Sequence, residues 1–208
     1  MPLFLEHAIE YLPILLQGAK LTIVVTLGSL VLSTVLGLVW ALMRISGVPV
    51  LMWISGAVIN VLLFYIYFVM PDFGLSLSAV QAGIIGLGIA YSAYQAENFR
   101  AGIEAIDKGQ IEAAHAMGMG WWLTMRRVVL PQAVKIVLPS YGNIMIMMLK
   151  DSSQASTITV AELALQGKLI ATSTFQNATV FTLVALLYLL MCVPLILLVR
   201  HLEKGRRS

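Results

Sequence analysis

Residues 21–43 read LTIVVTLGSLVLSTVLGLVWALM and lie between Lys20 and Arg44 with no charged side chain among them. A bilayer core is about 30 Å thick, so a helix of about 20 apolar residues crosses it. Inside lipid no water satisfies the backbone, and a single segment can satisfy its own N–H and C=O groups only as a helix. This stretch therefore predicts a membrane-spanning α-helix.

Four further uncharged runs extend the pattern, over residues 45–71, 73–96, 136–149 and 169–199. The 136–149 run is short, but with Pro131 as a helix start and Lys135 snorkelling at the boundary, residues 131–149 are long enough to cross. The sequence predicts an all-α membrane protein of about five spans in a single domain, residues 1–208. Only 11% of the residues are charged and 60% are hydrophobic, whereas soluble domains carry about 25% charged residues.

Basic residues indicate the orientation, because they concentrate on the cytoplasmic side of membrane proteins. With the amino terminus outside, ten of the thirteen lysines and arginines lie at the cytoplasmic face, and only Lys20, Lys150 and Lys168 lie towards the outside. The opposite orientation inverts this ratio. We therefore expect the amino terminus outside and the carboxyl terminus inside. The net charge of +3 then reflects topology rather than a nucleic-acid-binding surface.

Residues 1–20 differ from the spans, because Glu6 and Glu10 interrupt the apolar pattern and no basic residue precedes it. These features argue against a cleaved signal peptide. Apolar side chains recur at helical spacing at Leu5, Ile9, Leu12 and Leu16. We expect an amphipathic helix that lies on the outer surface.

Few residues are suited to hold a metal or a nucleotide. The single cysteine, Cys192, excludes a disulfide within the chain, and the three histidines are scattered between the outside, the loop and the tail. No G-x-x-x-x-G-K-[S/T] phosphate loop occurs, so any ATP must be bound by another subunit. The glycines fit close helix packing in a membrane instead, namely Gly28, Gly37, Gly83, Gly86 and Gly88.

The longest polar stretch, residues 97–127, separates the third span from the fourth. Within it, Gly109 and Gly118 bracket residues 110–117, a run of helix formers about two turns long. A short helix with small residues on one side suits insertion into a groove on a partner. An interfacial helix that only joins two spans fits the same spacing, and the spacing alone leaves both interpretations open.

Six fixed positions over twenty residues carry a resemblance to a known family. They are Glu112, Ala113, Ala114, Gly118, Leu130 and Pro131. The pattern E-A-A-x3-G-x9-I-x-L-P is that of the EAA loop of ABC importer permeases, and Val128 in place of isoleucine is its one departure. The loop, residues 104–130, therefore resembles the cytoplasmic loop that carries the coupling helix of such permeases, between spans three and four.

The flanks resemble the polar amino-acid branch of that family, so the resemblance covers nearly the whole chain. Residues 93–103 read AYQAENFRAGI, Gly109-Gln110 directly precedes the motif, and residues 149–153 read LKDSS. One segment departs from the family pattern. An R-G-T-P-L-L-V-Q stretch is missing before the second span, which shortens the chain by about eight to ten residues, or about 12–15 Å of helix. We expect span two to start earlier or to enter the membrane differently.

The resemblance implies the transmembrane subunit of an ATP-driven importer that moves polar amino acids across the bacterial inner membrane by alternating access. It implies no enzymatic activity in this chain, with ATP and Mg²⁺ on partner subunits. The implied partners are two ATP-binding cassette subunits, a second identical or homologous permease and an extracytoplasmic amino-acid-binding protein. Two alternatives stay open: half of an ion-driven secondary transporter, and a non-transporting membrane scaffold, which the missing segment makes less remote.

Two sets of residues follow as candidate sites. The resemblance assigns ATPase coupling to Gly109, Glu112, Ala113, Ala114, Gly118, Leu130 and Pro131. The candidate substrate path comprises Glu97, Asp151, Ser152, Ser153 and Gln154. A charge pair such as Lys150–Asp151 is costly within lipid and often functional, although a snorkelling helix end explains it equally well. Glu97 and Arg100, three residues apart on one helix, form either a gate or only a boundary ion pair.

Overall fold

The computed structural model describes residues 2–45 and 59–204, and the regular secondary structure of these residues is helical throughout. The α-helices are α1 (Pro2–Ile45), α2 (Ile59–Phe64), α3 (Ala79–Glu104), α4 (Lys108–Ala116), α5 (Trp121–Thr124), α6 (Leu130–Asp151), α7 (Leu163–Thr174) and α8 (Asn177–Lys204). Two π-helical turns, Tyr65–Val69 and Met125–Val129, and two 3₁₀ segments, Met70–Phe73 and Ser152–Ile158, join them. The expected all-α architecture is confirmed.

Helix α1 contains the first predicted span and the predicted surface segment in one unbroken helix of 44 residues. At 1.5 Å per residue it is about 66 Å long, more than twice the thickness of a bilayer core. Residues 2–20 therefore do not form a separate helix set off from the span. Tyr11, Leu15 and Ala19 are buried in a cluster with residues of α7 and α8, whereas Leu16 of the predicted apolar stripe is exposed.

Helices α1 and α3 pack closely and run in the same direction. A Cβ atom placed on Gly88 would lie 2.7 Å from Leu32 Cδ2, and one on Gly37 would lie 2.6 Å from Gln95 Cβ. Farther toward the start of both helices, Ser29 donates a hydrogen bond of 3.2 Å to the Ile84 carbonyl oxygen. The glycines thus allow the close helix packing that the sequence predicts, because side chains in their places would hold the backbones apart.

The second predicted span is described only from Ile59 onward, so the missing family segment and the loop before it lie outside the described residues. From Ile59 to Phe73 the chain forms a short apolar helix that passes through the π-helical turn into the 3₁₀ segment. Leu63 and Ile66 are buried in the core cluster, and Leu63 occupies the space that a side chain at Gly86 of α3 would need. Gly74, at φ +85°, ends the segment.

Helix α6 is antiparallel to α3, and α8 is antiparallel to α6. Gly102, near the end of α3, contacts Val137 in the first half of α6, and Gly142 of α6 contacts Val199 near the end of α8. In the described part of the chain, three helical stretches are long and apolar enough to cross a membrane: His7–Ala41, Trp121–Ile158 and Asn177–His201. Helix α3 has 26 residues but is less apolar.

Candidate functional site

Helix α4 in the polar loop is closed at both ends by local hydrogen bonds. The Asp107 carboxylate accepts a 2.6 Å bond from the Gly109 N–H, so Gly109 lies in the first turn of the helix rather than before it. At the other end, the Gly118 N–H donates to the His115 carbonyl and the Met119 N–H to the Ala114 carbonyl, at 2.9 and 3.0 Å. This is a Schellman ending, with Gly118 in the left-handed region at φ +79°.

The EAA residues divide between two faces of this short helix. Ala114 is buried, whereas Glu112 and Ala113 are exposed. Next to them the loop exposes large apolar side chains, with Met117 72%, Trp121 59% and Trp122 67% exposed. The loop therefore presents an acidic group and an apolar patch, which we call the loop patch and define as Glu112, Ala113, Met117, Trp121 and Trp122.

A glutamine pair connects α4 to the start of α6. Gln132 Nε2 donates a 2.6 Å bond to Gln110 Oε1 and a 2.9 Å bond to the Val128 carbonyl. Leu130 and Pro131 of the motif lie inside one helical stretch that begins at Trp121, so Pro131 is not the helix start that the sequence predicts. The π-helical turn before them ends with the Leu130 N–H donating to the Met125 carbonyl. A side-chain hydrogen bond thus links α4 to α6 in addition to the chain that connects them.

The candidate substrate-path residues separate into two places. Glu97 forms an ion pair with Arg100, which also pairs with Glu104, so the expected Glu97–Arg100 pair is confirmed. Asp151 lies elsewhere, at the end of α6, where its Oδ2 accepts a 2.6 Å hydrogen bond from the Tyr91 hydroxyl. Glu97 is six residues, or about 9 Å, beyond Tyr91 along α3. The structure therefore does not place Glu97 beside Asp151.

Asp151 marks the point where α6 stops being α-helical. The hydroxyls of Ser152 and Ser153 donate to the carbonyls of Leu149 and Lys150, at 2.7 and 2.9 Å, and the chain continues as the 3₁₀ segment. Ser152 is buried, whereas Ser153 and Gln154 are half-buried. None of the ion pairs among the described residues joins Lys150 to Asp151. The carboxylate is therefore positioned by Tyr91 rather than by its neighbouring lysine.

Asp151 lies level with the middle of α3. Its partner Tyr91 comes twelve residues after Ala79 and nine before Arg100. These separations correspond to about 18 Å and about 14 Å along the helix axis. Gly88, one turn before Tyr91, contacts Leu32, the central residue of the uncharged stretch 21–43. The break in α6 therefore lies deep within the helix bundle, not at its rim.

A second buried carboxylate was not singled out from the sequence. Glu162 is fully buried and caps α7, accepting hydrogen bonds from the N–H groups of Ala164 and Leu165 at 3.0 and 2.9 Å. It also accepts a 2.8 Å bond from the Tyr188 hydroxyl and a 3.4 Å bond from the Thr22 hydroxyl. These contacts tie α1, α7 and α8 together at one group. The sequence signal was its isolation as the one charged residue between Asp151 and Lys168.

Comparison with known proteins identifies the family. A family profile described as "Binding-protein-dependent transport system inner membrane component" matches residues 33–208. The chain belongs to this family. It is therefore an inner-membrane translocation subunit of an ABC importer, not an enzyme, and ATP hydrolysis in such systems is carried out by separate subunits.

Permease proteins of Bacillus subtilis (strain 168) are among the relatives. The probable amino-acid ABC transporter permease YckA is 38% identical over 193 residues, covering 89% of this chain and 85% of YckA. The probable glutamine ABC transporter permease GlnM is 36% identical over 197 residues, covering 91% of each chain. The resemblance to ABC permeases found in the EAA loop is confirmed over most of the chain.

Solved structures of ABC transporters also resemble this chain. A chain from the crystal structure of an amino acid ABC transporter with histidines superposes with a TM-score of 0.87 at 33% identity, covering 97% of this chain and 98% of that one. A chain of the inward-facing MetNI methionine ABC transporter gives 0.72 at 21% identity, covering 91% and 96%, and shows the shared fold alone.

Proposed function

We propose that this permease crosses the membrane five times with its amino terminus outside, and that it carries polar amino acids. The parallel packing of α1 and α3 is the observation that supports this topology. Two parallel spans require another membrane span between them in sequence, which returns the chain to the side where α1 begins. The apolar stretch Ile59–Phe73 supplies the described part of that crossing. With α6 and α8 as the fourth and fifth spans, the ten-to-three distribution of basic residues supports the orientation.

The loop patch is the proposed docking surface for the ATP-binding subunits. It lies on the predicted cytoplasmic side, and its exposed tryptophans and Met117 are the residue types that form the energetic centres of interfaces. ATP and Mg²⁺ would stay on those subunits, since this chain has no phosphate loop. The remaining partners are a second permease, identical or homologous, and an extracytoplasmic amino-acid-binding protein.

Asp151 and the half-buried Ser153 and Gln154 are the proposed start of the substrate path. A carboxylate inside a membrane helix bundle is costly, and the ones that occur there usually mark substrate or ion pathways. Broken helices near mid-membrane form the sites of many transporters. Asp151 keeps one oxygen outside the Tyr91 hydrogen bond, so it can attract an ammonium or a basic side chain. The amino-acid names of YckA and GlnM agree with such a substrate.

Reconstitution tests the proposed function. The permease is purified in complex with its ATPase partner and placed in liposomes with its binding protein and labelled glutamine, arginine, histidine or cystine. We expect uptake that requires ATP and the binding protein and stops when the ATPase is inactivated. Uptake driven by an ion gradient without ATP would instead identify a secondary transporter. A complex that assembles and moves none of the amino acids would identify a scaffold.

Replacing Asp151 with asparagine tests the substrate path, because it removes the charge and keeps the shape. We expect the variant to assemble normally, to transport poorly and to discriminate differently between cationic and neutral amino acids. Asp72→Asn, a change at an exposed carboxylate in the 3₁₀ segment Met70–Phe73, is the matched control. If Asp151→Asn behaves like this control, Asp151 is a structural anchor.

A further inference from the structure

The turn between α7 and α8 carries a phenylalanine in a strained backbone conformation. Phe175 adopts φ +59° and ψ +16°, in the left-handed region. This region is disfavoured for an L-residue by a factor of about five to thirty. The Phe175 N–H donates a 2.9 Å hydrogen bond to the Ala171 carbonyl and so ends α7. Glycine or asparagine usually occupies this position of a helix end, because both tolerate the conformation.

The ring of Phe175 contributes little packing that would offset this cost. A helix that ends with a left-handed residue is usually stabilised by an apolar contact from that residue back to the last turn. Phe175 is instead 86% exposed, more than any other large apolar residue in the part of the chain that the structure describes. Strained residues concentrate at ligand clamps and binding sites, where the surrounding fold holds them in place.

In the proposed topology Phe175 lies beyond the hydrocarbon core on the outer side. Arg200, the first charged residue at the cytoplasmic end of α8, follows it by 25 residues. That separation is about 38 Å of helix, longer than the 30 Å core. Ala171, one turn before Phe175, is buried in one cluster with Tyr11, which precedes Lys20 at the outer end of the first span by nine residues. Lipid tails therefore do not cover the ring.

The surface around Phe175 is polar but uncharged. Hydroxyl and amide side chains flank it on both sides and are exposed or half-buried, namely Ser173, Thr174, Gln176 and Asn177. No charged residue occurs from position 169 to position 199. Aromatic side chains surrounded by a polar rim are typical energetic centres of protein interfaces. A partner for this turn must therefore offer an apolar pocket rimmed by hydrogen-bonding groups rather than an opposite charge.

We propose that Phe175 anchors the extracytoplasmic binding protein on the permease by inserting its ring into an apolar pocket of that protein. This inference rests on the proposed function and names the residue at which that partner docks. The family description makes transport dependent on a binding protein, and a protein that delivers substrate for import meets the outer face. A ring already held outward in the free permease is placed for its partner in advance, which lowers the entropic cost of docking.

Binding of the amino-acid-binding protein to the permease–ATPase complex in lipid nanodiscs tests the proposal. We expect Phe175→Ala to weaken the affinity by about thirtyfold, as loss of an aromatic interface anchor does, and Phe175→Tyr to retain it. The loss should be equal at low and high salt, because no charged group takes part. Phe73→Ala is the matched control, since Phe73 is 71% exposed on the outer side without a left-handed backbone, and it should leave the affinity unchanged.

Glycine at the same position separates the role of the ring from that of the backbone. Phe175→Gly removes both the ring and the strain, so docking should be as weak as in Phe175→Ala, while the melting temperature rises by about 2–4 °C. Phe175→Ala keeps the left-handed backbone and should melt with the wild type. A gain in stability together with a loss of docking is a result that a purely structural turn residue would not give.

Three results would overturn the proposal. The first is wild-type affinity in Phe175→Ala. The second is a melting temperature lowered alike in Phe175→Ala and Phe175→Gly, which would show that the ring stabilises the fold. The third concerns a bimane label on Phe175→Cys in a Cys192→Ala background. Its fluorescence should respond to the binding protein, and quenching by lipids brominated in their acyl chains would instead place the ring in the bilayer.

The wild-type complex keeps this inference separate from the proposed function. If the wild-type complex binds the binding protein and takes up amino acids with ATP, the proposed function holds whatever Phe175→Ala does. If it does neither, the proposed function fails, and the variants are not needed to show it. Unchanged docking in Phe175→Ala beside a functional wild type therefore counts against the anchor alone.

Discussion

Replacing Gly118 with alanine should loosen the end of α4, the proposed coupling helix. Gly118 adopts φ +79°, and left-handed backbone costs an L-residue about 1–2 kcal/mol. A Cβ at Gly118 would meet no atom within 4 Å, so this cost comes from the backbone alone. This cost corresponds to about a fivefold to thirtyfold decrease in the equilibrium constant for forming the hydrogen-bonded end of α4. We expect faster hydrogen exchange at the amides of positions 118 and 119, whose hydrogen bonds cap the end of α4. We also expect weaker binding of the ATPase subunits.

Gly120→Ala provides a control two residues away. A Cβ there also meets nothing within 4 Å, but the backbone is extended, at φ −68° and ψ 162°, and accepts any residue. Gly118→Asn should fall between the two, because asparagine tolerates the left-handed region. Equal exchange and equal ATPase binding in all three variants would refute the reasoning. Equal impairment by Gly118→Ala and Gly120→Ala would show instead that bulk on the loop, rather than backbone conformation, disturbs docking.

Three further predictions concern packing and topology. Gly37→Ala should destabilise the permease by about 1–3 kcal/mol in thermal unfolding, because the new Cβ would lie 2.6 Å from Gln95 Cβ. Gly83→Ala should be tolerated, because the nearest atom to its Cβ would be 3.5 Å away. Equal melting temperatures of the two variants would contradict this prediction. Glu162→Ala should also lower the melting temperature, because two N–H groups and two hydroxyls lose their hydrogen-bond acceptor. We expect the free energy of unfolding to fall by about 1–3 kcal/mol. A variant as stable as the wild type would show that the network is dispensable. A cysteine at Gly120, with Cys192 removed, should react with impermeant thiol reagents only from the cytoplasmic side, and labelling in intact cells would overturn the five-span topology.

The structure of the loop between α3 and α6 could be predicted in most of its parts from the sequence. Its order of small, acidic and proline residues is local, and local hydrogen bonds decide where a short helix begins and ends. Only the first residue of α4 differs from the prediction, because Asp107 caps the helix and Gly109 therefore lies in its first turn. The exposure of Trp121 and Trp122 could not be predicted, since an apolar residue in a loop is as compatible with burial as with an interface.

The surroundings of the candidate substrate-path residues were predicted less completely, because their contacts join distant parts of the chain. Asp151 was identified by its charge, but its partner Tyr91 is 60 residues away and reads in sequence as one more apolar residue of a span. Glu97 was grouped with Asp151 because both are carboxylates near span ends. The two lie apart because α6 stops beside the middle of α3 and Glu97 lies nearer the end of α3, and no helical periodicity reveals the relative height of two helices.

The sequence by itself determined that the protein is helical, that it belongs in a membrane and which loop resembles a coupling element. Lipid permits a single segment no backbone conformation but the helix, so uncharged runs of sufficient length decide those features without reference to the rest of the chain. Only the tertiary structure decided which residues meet inside the bundle: Tyr91 with Asp151, and Glu162 with Thr22 and Tyr188. Those pairings depend on the position of each helix along its axis relative to its neighbours. Glycines that let α1 approach α3, and side chains that fill the remaining space, fix that position through contacts spread over the whole chain.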